Sequence, residues 1–263
     1  MRSTLHLVLG AACALVAGSR TSVAQSLAER VASSDGRVAV IYPSRPSVCG
    51  DGRGSIRHLF GYSQSRADGV ALSSDGEWDE RPCVHGPARA IADVQDGQVI
   101  RLRLYVGPDD GSVHANRTVN ASVDDASAWL RELISRSEGR VASDAVVALL
   151  AADAPPPWPF LLRTARDERL SHATRSSALF WIGAGVIDKL GLDDARARTD
   201  DDQTREAAVF ALTQGSKSQS VPDLIDLARN GKYPSVRRSA IFWLGQSGDP
   251  RAADVYADLL GVR

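Results

Sequence analysis

The chain has 263 residues, enough to bury a sizeable core without staples, and its 31 basic and 32 acidic residues leave a formal net charge of -1. Such a balance excludes the basic excess that a nucleic-acid surface needs. Lysine occurs only at Lys189, Lys217 and Lys232, so the other basic residues are arginines, which reads as a bias of composition and not as phosphate recognition.

The first 24 residues combine a basic start at Arg2, an apolar run from Leu5 to Ala17 and small residues at Ser22-Val23-Ala24, the pattern of a secretory signal cleaved after Ala24. That run is too short to span a bilayer, and no later stretch reaches the ~20 apolar residues of a membrane helix. The sequence therefore predicts an exported protein, periplasmic or extracellular, with no membrane insertion. A lipoprotein reading would use Cys13, but Gly10-Ala11-Ala12 lacks the aliphatic residue usual before such a cysteine. Loss of the signal leaves Cys49 and Cys83, an even count in an oxidising compartment, and a disulfide between them is expected. The chain-entropy model gives such a crosslink about 3–4 kcal/mol. The alternative use of these residues is a metal site built from Cys49, Cys83 and His85, although structural zinc sites take four ligands at tighter spacing.

Ser26 to Ser34 allows a short helix, and Gly36 to Tyr42 is a β-branched, apolar strand running into a loop rich in proline and glycine that holds Cys49. Gly54 to Tyr62 reads as a second strand with Ile56, His58 and Phe60 on one face; Asp68 to Gly86, carrying Trp78 and Cys83, reads as a surface connection pinned by the crosslink. Ala88 to Gln95 and Gln98 to Val106 flank Asp96-Gly97, a dipeptide suited to a two-residue hairpin. Alternation in the second arm places Ile100, Leu102, Leu104 and Val106 inward, with Arg101, Arg103 and Tyr105 facing water. Residues 25–111 are thus expected to form a small antiparallel β domain. Residues 112–123 read as a polar linker, with sequons at Asn116 and Asn120, and residues 124–263 as helices.

The helices begin at Asp124-Asp125 and continue with Ser143 to Ala152 and, after Pro155-Pro156-Pro157, with Trp158 to Arg166, which Val221 to Arg229 copies. Thr174 to Gly183, Thr204 to Thr213 and Val236 to Gln246 repeat one pattern, their arginines Arg175, Arg205 and Arg237 lying 30 and 32 residues apart. Each back half is apolar all round, as in Ala208-Val209-Phe210-Ala211-Leu212, which demands burial on several sides and so a stack. Gly183 and Gly245 fit left-handed residues that end helices, and Gly248-Asp249-Pro250 fits a stop followed by a new start. The first helix of the middle repeat has to fall within Gly185 to Ala195, where Gly185 and Gly191 weaken it.

These residues, above all Val236-Arg237-Arg238-Ser239-Ala240 with Leu244-Gly245 and Gly248-Asp249-Pro250-Arg251-Ala252, resemble HEAT-like repeats over Trp158 to Leu260. Together with the β region read above, the resemblance leads to the expectation of an α+β protein: a small antiparallel β domain followed by a C-terminal right-handed α-solenoid that binds proteins. It also implies repeat stacking by Arg175, Arg205 and Arg237. The chain is further similar to exported bacterial proteins of unassigned function that join such repeats to a β region holding an Arg-Pro-X-Val-Cys-Gly-Asp-Gly motif, here Arg45 to Gly52. The polar starts of the second helices, Ser176, Glu206 and Arg238, are the expected partner contacts.

Chemistry is harder to find. His58, His85, His114 and His172 form no His-Glu-X-X-His, and neither Gly-X-Ser-X-Gly nor a phosphate loop occurs, so no catalytic residue, cofactor or resident metal is expected. Asp200-Asp201-Asp202 reads as an acidic helix start, since it lacks the alternating ligands of a calcium loop. The leading expectation is an exported, non-catalytic, protein-binding scaffold; the competing one is an enzyme or metal-binding subunit with its site around Cys49, Cys83 and His85.

Overall fold

A computed structural model describes residues 25–52, 56–59, 62–63, 71–72, 78–79, 84–109, 111, 113–137, 139–192 and 200–262. The signal-like segment and Cys83 lie outside the described residues, as do the side chains of His58 and Trp78. Helix α1 (Leu27–Ala32) starts in a capping box, with Ser26 Oγ accepting the Glu29 N–H at 3.2 Å and the Glu29 carboxylate accepting the Ser26 N–H at 2.8 Å. It is followed by β1 (Gly36–Tyr42), β2 (Cys49–Gly50), β3 (Ile56–Leu59), β4 (Tyr62–Ser63), β5 (Ala71–Leu72), β6 (Trp78–Asp79), β7 (Ala88–Gln95), β8 (Gln98–Val106) and β9 (Arg117–Asn120).

The main sheet runs β8-β7-β1-β9; β2-β3-β4, which meets β8, and β5-β6 are small antiparallel sheets. Asp96 and Gly97 both take positive φ, 51° and 74°, so the β7–β8 hairpin closes on the two left-handed residues that its sequence favours. Two expectations change here. The predicted linker contributes β9, whose Val119 is buried and which pairs with β1 in parallel from Val38↔Arg117 to Ile41↔Asn120, so the sheet is mixed. A bulge shifts the β7–β8 register between Asp93, opposite Arg101, and Val94, opposite Val99, which turns Ile100 outward to 58% exposure while Leu102, Leu104 and Val106 stay buried. Tyr105 does not meet water either; it is buried with Ala39 and Ile91 under Val113 and Ala115.

The helical part is α2 (Val123–Arg136), α3 (Gly139–Ala151), α4 (Trp158–Arg166), α5 (His172–Lys189), α6 (Asp200–Leu212), α7 (Lys217–Asn230), α8 (Pro234–Gln246) and α9 (Arg251–Leu260). The α+β class with a HEAT-like helical region thus stands. A continuous core runs from the inner sheet face (Val38, Val40, Ala90, Leu102) through α2 and α3 (Trp129, Leu130, Val146, Leu149) to α9. The small side chains of Ala88, Ala90 and Ala92 on β7 let helices lie close to the sheet. Polar ties cross the predicted boundary too. Tyr42 donates from its buried hydroxyl to Ala148 O at 2.9 Å, and Arg45 donates from its backbone to Ala151 O at 2.9 Å and from Nε to Leu150 O at 2.8 Å. Arg45 thereby serves carbonyls at the end of α3 that have no partner within the helix.

The stacking order departs from a sequential solenoid. Helix α5 runs through Gly183 to Lys189, so Gly185 to Lys189 extends it and begins no new helix; Gly191 and Gly261 are the left-handed residues that follow α5 and α9. The place of a first helix for the middle repeat, which the described residues do not form, is taken by α9, which packs on α5, α4 and α7. It is held by ion pairs Arg166–Asp254 at 2.6 Å and Arg229–Asp258 at 2.7 Å, and by Lys189 donating to Leu260 O. Helix α8 correspondingly lies between α5 and α6, and α6 becomes the end of the inner row.

Gly183 and Gly245 make that insertion possible. A Cβ at either would meet the Tyr256 hydroxyl at 3.0 or 3.1 Å, and at Gly245 also Phe180 Cα at 3.3 Å. Tyr256 is fully buried, donates to Ile241 O at 2.6 Å, and its phenol is pushed well above its ordinary pKa by burial. Gly245→Ala should therefore lower unfolding free energy by about 1–3 kcal/mol through overpacking against backbone. Tyr256→Phe should lower it by about 1 kcal/mol through loss of the hydrogen bond. Urea denaturation checks both; an unchanged midpoint for Gly245→Ala would show that the Tyr256 seat is not tight.

Candidate functional site

The apolar stretch Ala207-Ala208-Val209-Phe210-Ala211-Leu212 calls for burial all round, yet α6 is covered on one side only. Val209 is buried and Asp202, Arg205 and Glu206 are half-buried, whereas Ala207, Ala208, Phe210, Ala211 and Leu212 are exposed, Phe210 to 44%. Phe210 ends a row of rings that starts inside the array. Phe180 on α5 meets Phe242 on α8 at 6.0 Å between centroids, Phe242 meets Trp243 at 5.0 Å, and Trp243 meets Phe210 at 5.0 Å. Edge and tilted contacts of this kind contribute about 0.5–1.5 kcal/mol each beyond area burial.

A polar seam joins α6 to α8 along the other flank. Glu206 and Arg238, two of the three expected partner contacts, are brought together as an ion pair whose side chains are only 19% and 14% exposed. Each is engaged by the other, and their contribution is to hold α6 on the array. Ser176, the third, is half-buried on α5 with its hydroxyl 3.4 Å from His172 Nδ1, and it takes no part in that pair. Arg205 pairs with Asp202 at 3.1 Å and Asp201 at 3.4 Å and stacks 4.0 Å over the ring of Tyr233 at the start of α8, while Asp202 also accepts from Ser235 Oγ at 2.7 Å. Arg205 thus reaches the neighbouring helix. Arg237 lays its stem against the turn at Gly231, and Arg175 is half-buried on α5 with its Nε buried and lacking a hydrogen-bond partner.

Around the Arg-Pro-X-Val-Cys-Gly-Asp-Gly motif the geometry is that of a junction. Gly50 and Val84 exchange backbone hydrogen bonds at 3.0 and 2.7 Å, Gly52 donates to Val106 O at 3.1 Å, and His85 Nδ1 lies 3.0 Å from Val48 O. Arg89, 2% exposed, donates to Gly52 O at 2.8 Å and Pro108 O at 3.3 Å and pairs with Asp109 at 2.5 Å. It ties the motif to the turn that ends β8. Cys49 is buried in β2, and among the described residues no group of three or more His, Cys, Asp or Glu is placed to hold a metal. A surface hollow of about 630 Å³ at the far end of the sheet is lined by Arg37, Asp93, Arg101 and His114, with Arg37 drawn onto Asp93 at 2.7 Å. That contact holds the Asp93 carboxyl below its ordinary pKa, chiefly through the hydrogen bond from Arg37.

The exposure of Phe210 had one signal in the sequence: the glycines that weaken the first helix of the middle repeat leave its second helix without a partner of its own. Which side would stay bare depended on where α9 went, a non-local outcome.

Residues 194–262 match the family model of the HEAT repeats, so this part of the chain is a HEAT-like repeat domain. No curated protein and no solved structure matches the chain. None of the described helices is long and apolar enough to cross a membrane.

If the Glu206–Arg238 pair fastens α6 to α8, Glu206→Ala and Arg238→Ala should each destabilise by about 1–3 kcal/mol, and the double variant by less than their sum, leaving a coupling of roughly 1 kcal/mol. A double-mutant cycle in urea measures it. Additive losses would mean that the two side chains act independently.

Proposed function

We propose, from the HEAT-like repeat domain at residues 194–262, that the protein is an exported, non-catalytic scaffold that works by binding other protein chains. The observation that carries this reading is the open edge at α6: an apolar helix face, continuous with the aromatic row of the array, left bare where a further repeat would stack. Exposed apolar surface next to ordered packing marks an interaction site. We place the principal contact on Ala207, Phe210 and Ala211, with Glu206 and Arg238 holding the helix that presents them.

Export is supported by the signal-like first 24 residues. A Cys49–Cys83 crosslink belongs to the same reading. It is supported by the even cysteine count of the mature chain and by the Gly50–Val84 bridge, which draws the chain neighbours of both cysteines together. Thiol titration of the denatured mature chain should find neither cysteine reactive before reduction and both after; two free thiols without reductant would remove the crosslink.

The scaffold reading is tested by affinity capture from an envelope extract of the producing organism, with the full mature chain as bait beside its Phe210→Asp variant. A protein retained by the wild type and lost from the variant is the expected result. Equal retention by both would move the contact off α6, and retention by neither would remove the scaffold reading.

A further inference from the structure

Three strands bring one row of charged side chains to the far end of the main sheet. Arg37 on β1 lies opposite Asp93 on β7, and Asp93 lies opposite Arg101 on β8. Two guanidiniums thus flank one carboxylate, although the chain as a whole carries a formal charge of -1. Asp93 is already engaged, accepting from Arg37 Nε at 2.7 Å and Nη2 at 3.3 Å. Arg101 is exposed, and among the described residues its guanidinium makes no ion pair or hydrogen bond. The hollow of about 630 Å³ at this row has the size of a small-ligand site.

The segment before β9 builds the rim of that hollow. Val113 and Ala115 pack on Ala39, Ile91 and Tyr105, which pins the segment to the sheet and sets His114 and Asn116 at the hollow. Asn116 Oδ1 accepts the Arg37 backbone N–H at 2.8 Å, so its amide is held in place with the Nδ2 donors left over. That seat needs glycine at residue 36, where a Cβ would lie 2.8 Å from Asn116 Oδ1. Donors without acceptors therefore line the hollow, and the one carboxylate there is taken. The bulge adds an apolar element. In a regular strand Ile100 and Arg101 would point to opposite faces, but the register shift between Asp93 and Val94 turns Ile100, 58% exposed, into the same hollow as Arg101. Bulges re-aim side chains in this way beside binding sites.

We propose that this hollow binds a carboxylate carried on an apolar group, the chemistry shared by a peptide's free C-terminus at an apolar residue and by small organic acids. Arg101 takes the carboxylate on its planar fork, the Asn116 amide donates to the same group, and Ile100 covers the apolar part. Asp93 does not oppose the ligand, because the hydrogen-bonded contact with Arg37 that holds its carboxyl below the ordinary pKa also balances its charge. The site does not rest on the reading of α6.

Backbone amide chemical shifts of the full mature chain test the proposal, recorded while acetyl-glycyl-glycyl-leucine, its C-terminal carboxamide, hexanoate or inorganic phosphate is added. At least one of the two carboxylates should move the amides of Asp93, Ile100, Arg101 and Asn116 with a Kd of roughly 10 μM to 1 mM. The carboxamide and phosphate should each bind about 10-fold more weakly or worse, the first lacking the charge and the second the apolar group. Hexanoate binding as tightly as the peptide identifies a small acid as the source of the group, and peptide binding alone identifies a chain end. Arg101→Gln should raise the Kd about 10-fold or more and Ile100→Thr about 3-fold or more. Arg103→Gln, on the same strand but outside the hollow, should stay within about 2-fold, which distinguishes a site from a merely basic face. All three side chains are exposed, so the fold tolerates their replacement. Unmoved amides at about 10 mM of either carboxylate overturn the proposal, as does a carboxamide that binds like the acid or an Arg101→Gln variant that binds like the wild type. Phosphate binding as tight as that of the carboxylates, with Ile100→Thr without effect, overturns it in favour of a plain anion site.

Discussion

Tyr256 sits in a slot that exists only because Gly183 and Gly245 have no side chains, and the arrangement of the helical half follows from that fit. A buried phenol needs an acceptor, and Ile241 O supplies one at 2.6 Å. With its ring fixed between α5 and α8, α9 has to lie along the gap beside α4 and α7, where Asp254 and Asp258 find arginines on either side. These exposed ion pairs are worth little singly. The burial of Ala252, Ala253, Val255, Tyr256 and Leu260 holds the helix, and the charges choose its register. Once α9 occupies the gap, α8 is drawn against α5 and α6 is left at the end of the row.

The other half of the molecule is anchored by the motif loop. Arg45 serves the carbonyl end of α3 while Arg89 closes on Gly52 and the turn at Pro108-Asp109, so the loop carrying Cys49 is a fastening between sheet and helices. Burial lowers the Arg45 guanidinium from its ordinary pKa, with Asp153 opposing. The shared core through α2 and α3 makes the sheet and the repeats one folding unit, since neither would bury its inner face alone. That explains how a short run of HEAT-like helices is held stable at one end: the sheet does the work of a terminal capping repeat.

Local chemistry was the legible part. Asp96-Gly97 dictates its turn through two residues at positive φ, and Pro159 with its flanking apolar residues marked α4 at Trp158–Arg166 as found. What depended on distant partners was not readable. Gly183 and Gly245 follow apolar runs and so look like helix stops, but each is a gap for a ring more than ten residues away in the chain. Residues 117–120 look like linker because their strand character comes from pairing with β1 and from one buried side chain, Val119. The outward turn of Ile100 comes from a bulge, which strict alternation cannot anticipate. At the candidate site the same division holds: the apolar character of α6 was visible and its exposure was not. Glu206 and Arg238 read as exposed polar positions from their own segments, but they lie within α6 and α8, and their opposite charges on neighbouring helices bring them together.

The open edge and the filled gap are two sides of one competition. Helix α9 had two places to go: the far side of the α7–α8 pair, as a sequential array would have it, or the slot left between α4 and α7. The far side of α7 offers Asp223, Asp226 and Asn230, polar side chains ill suited to an apolar helix face. The slot buries the Tyr256 hydroxyl with its acceptor and covers α9 on several sides, and area removed from water decides between them at about 25 cal/mol per Å². The chain therefore spends its last helix internally. An uncapped apolar end is the direct consequence, and because it arises from packing within the chain, every molecule that folds this way carries it.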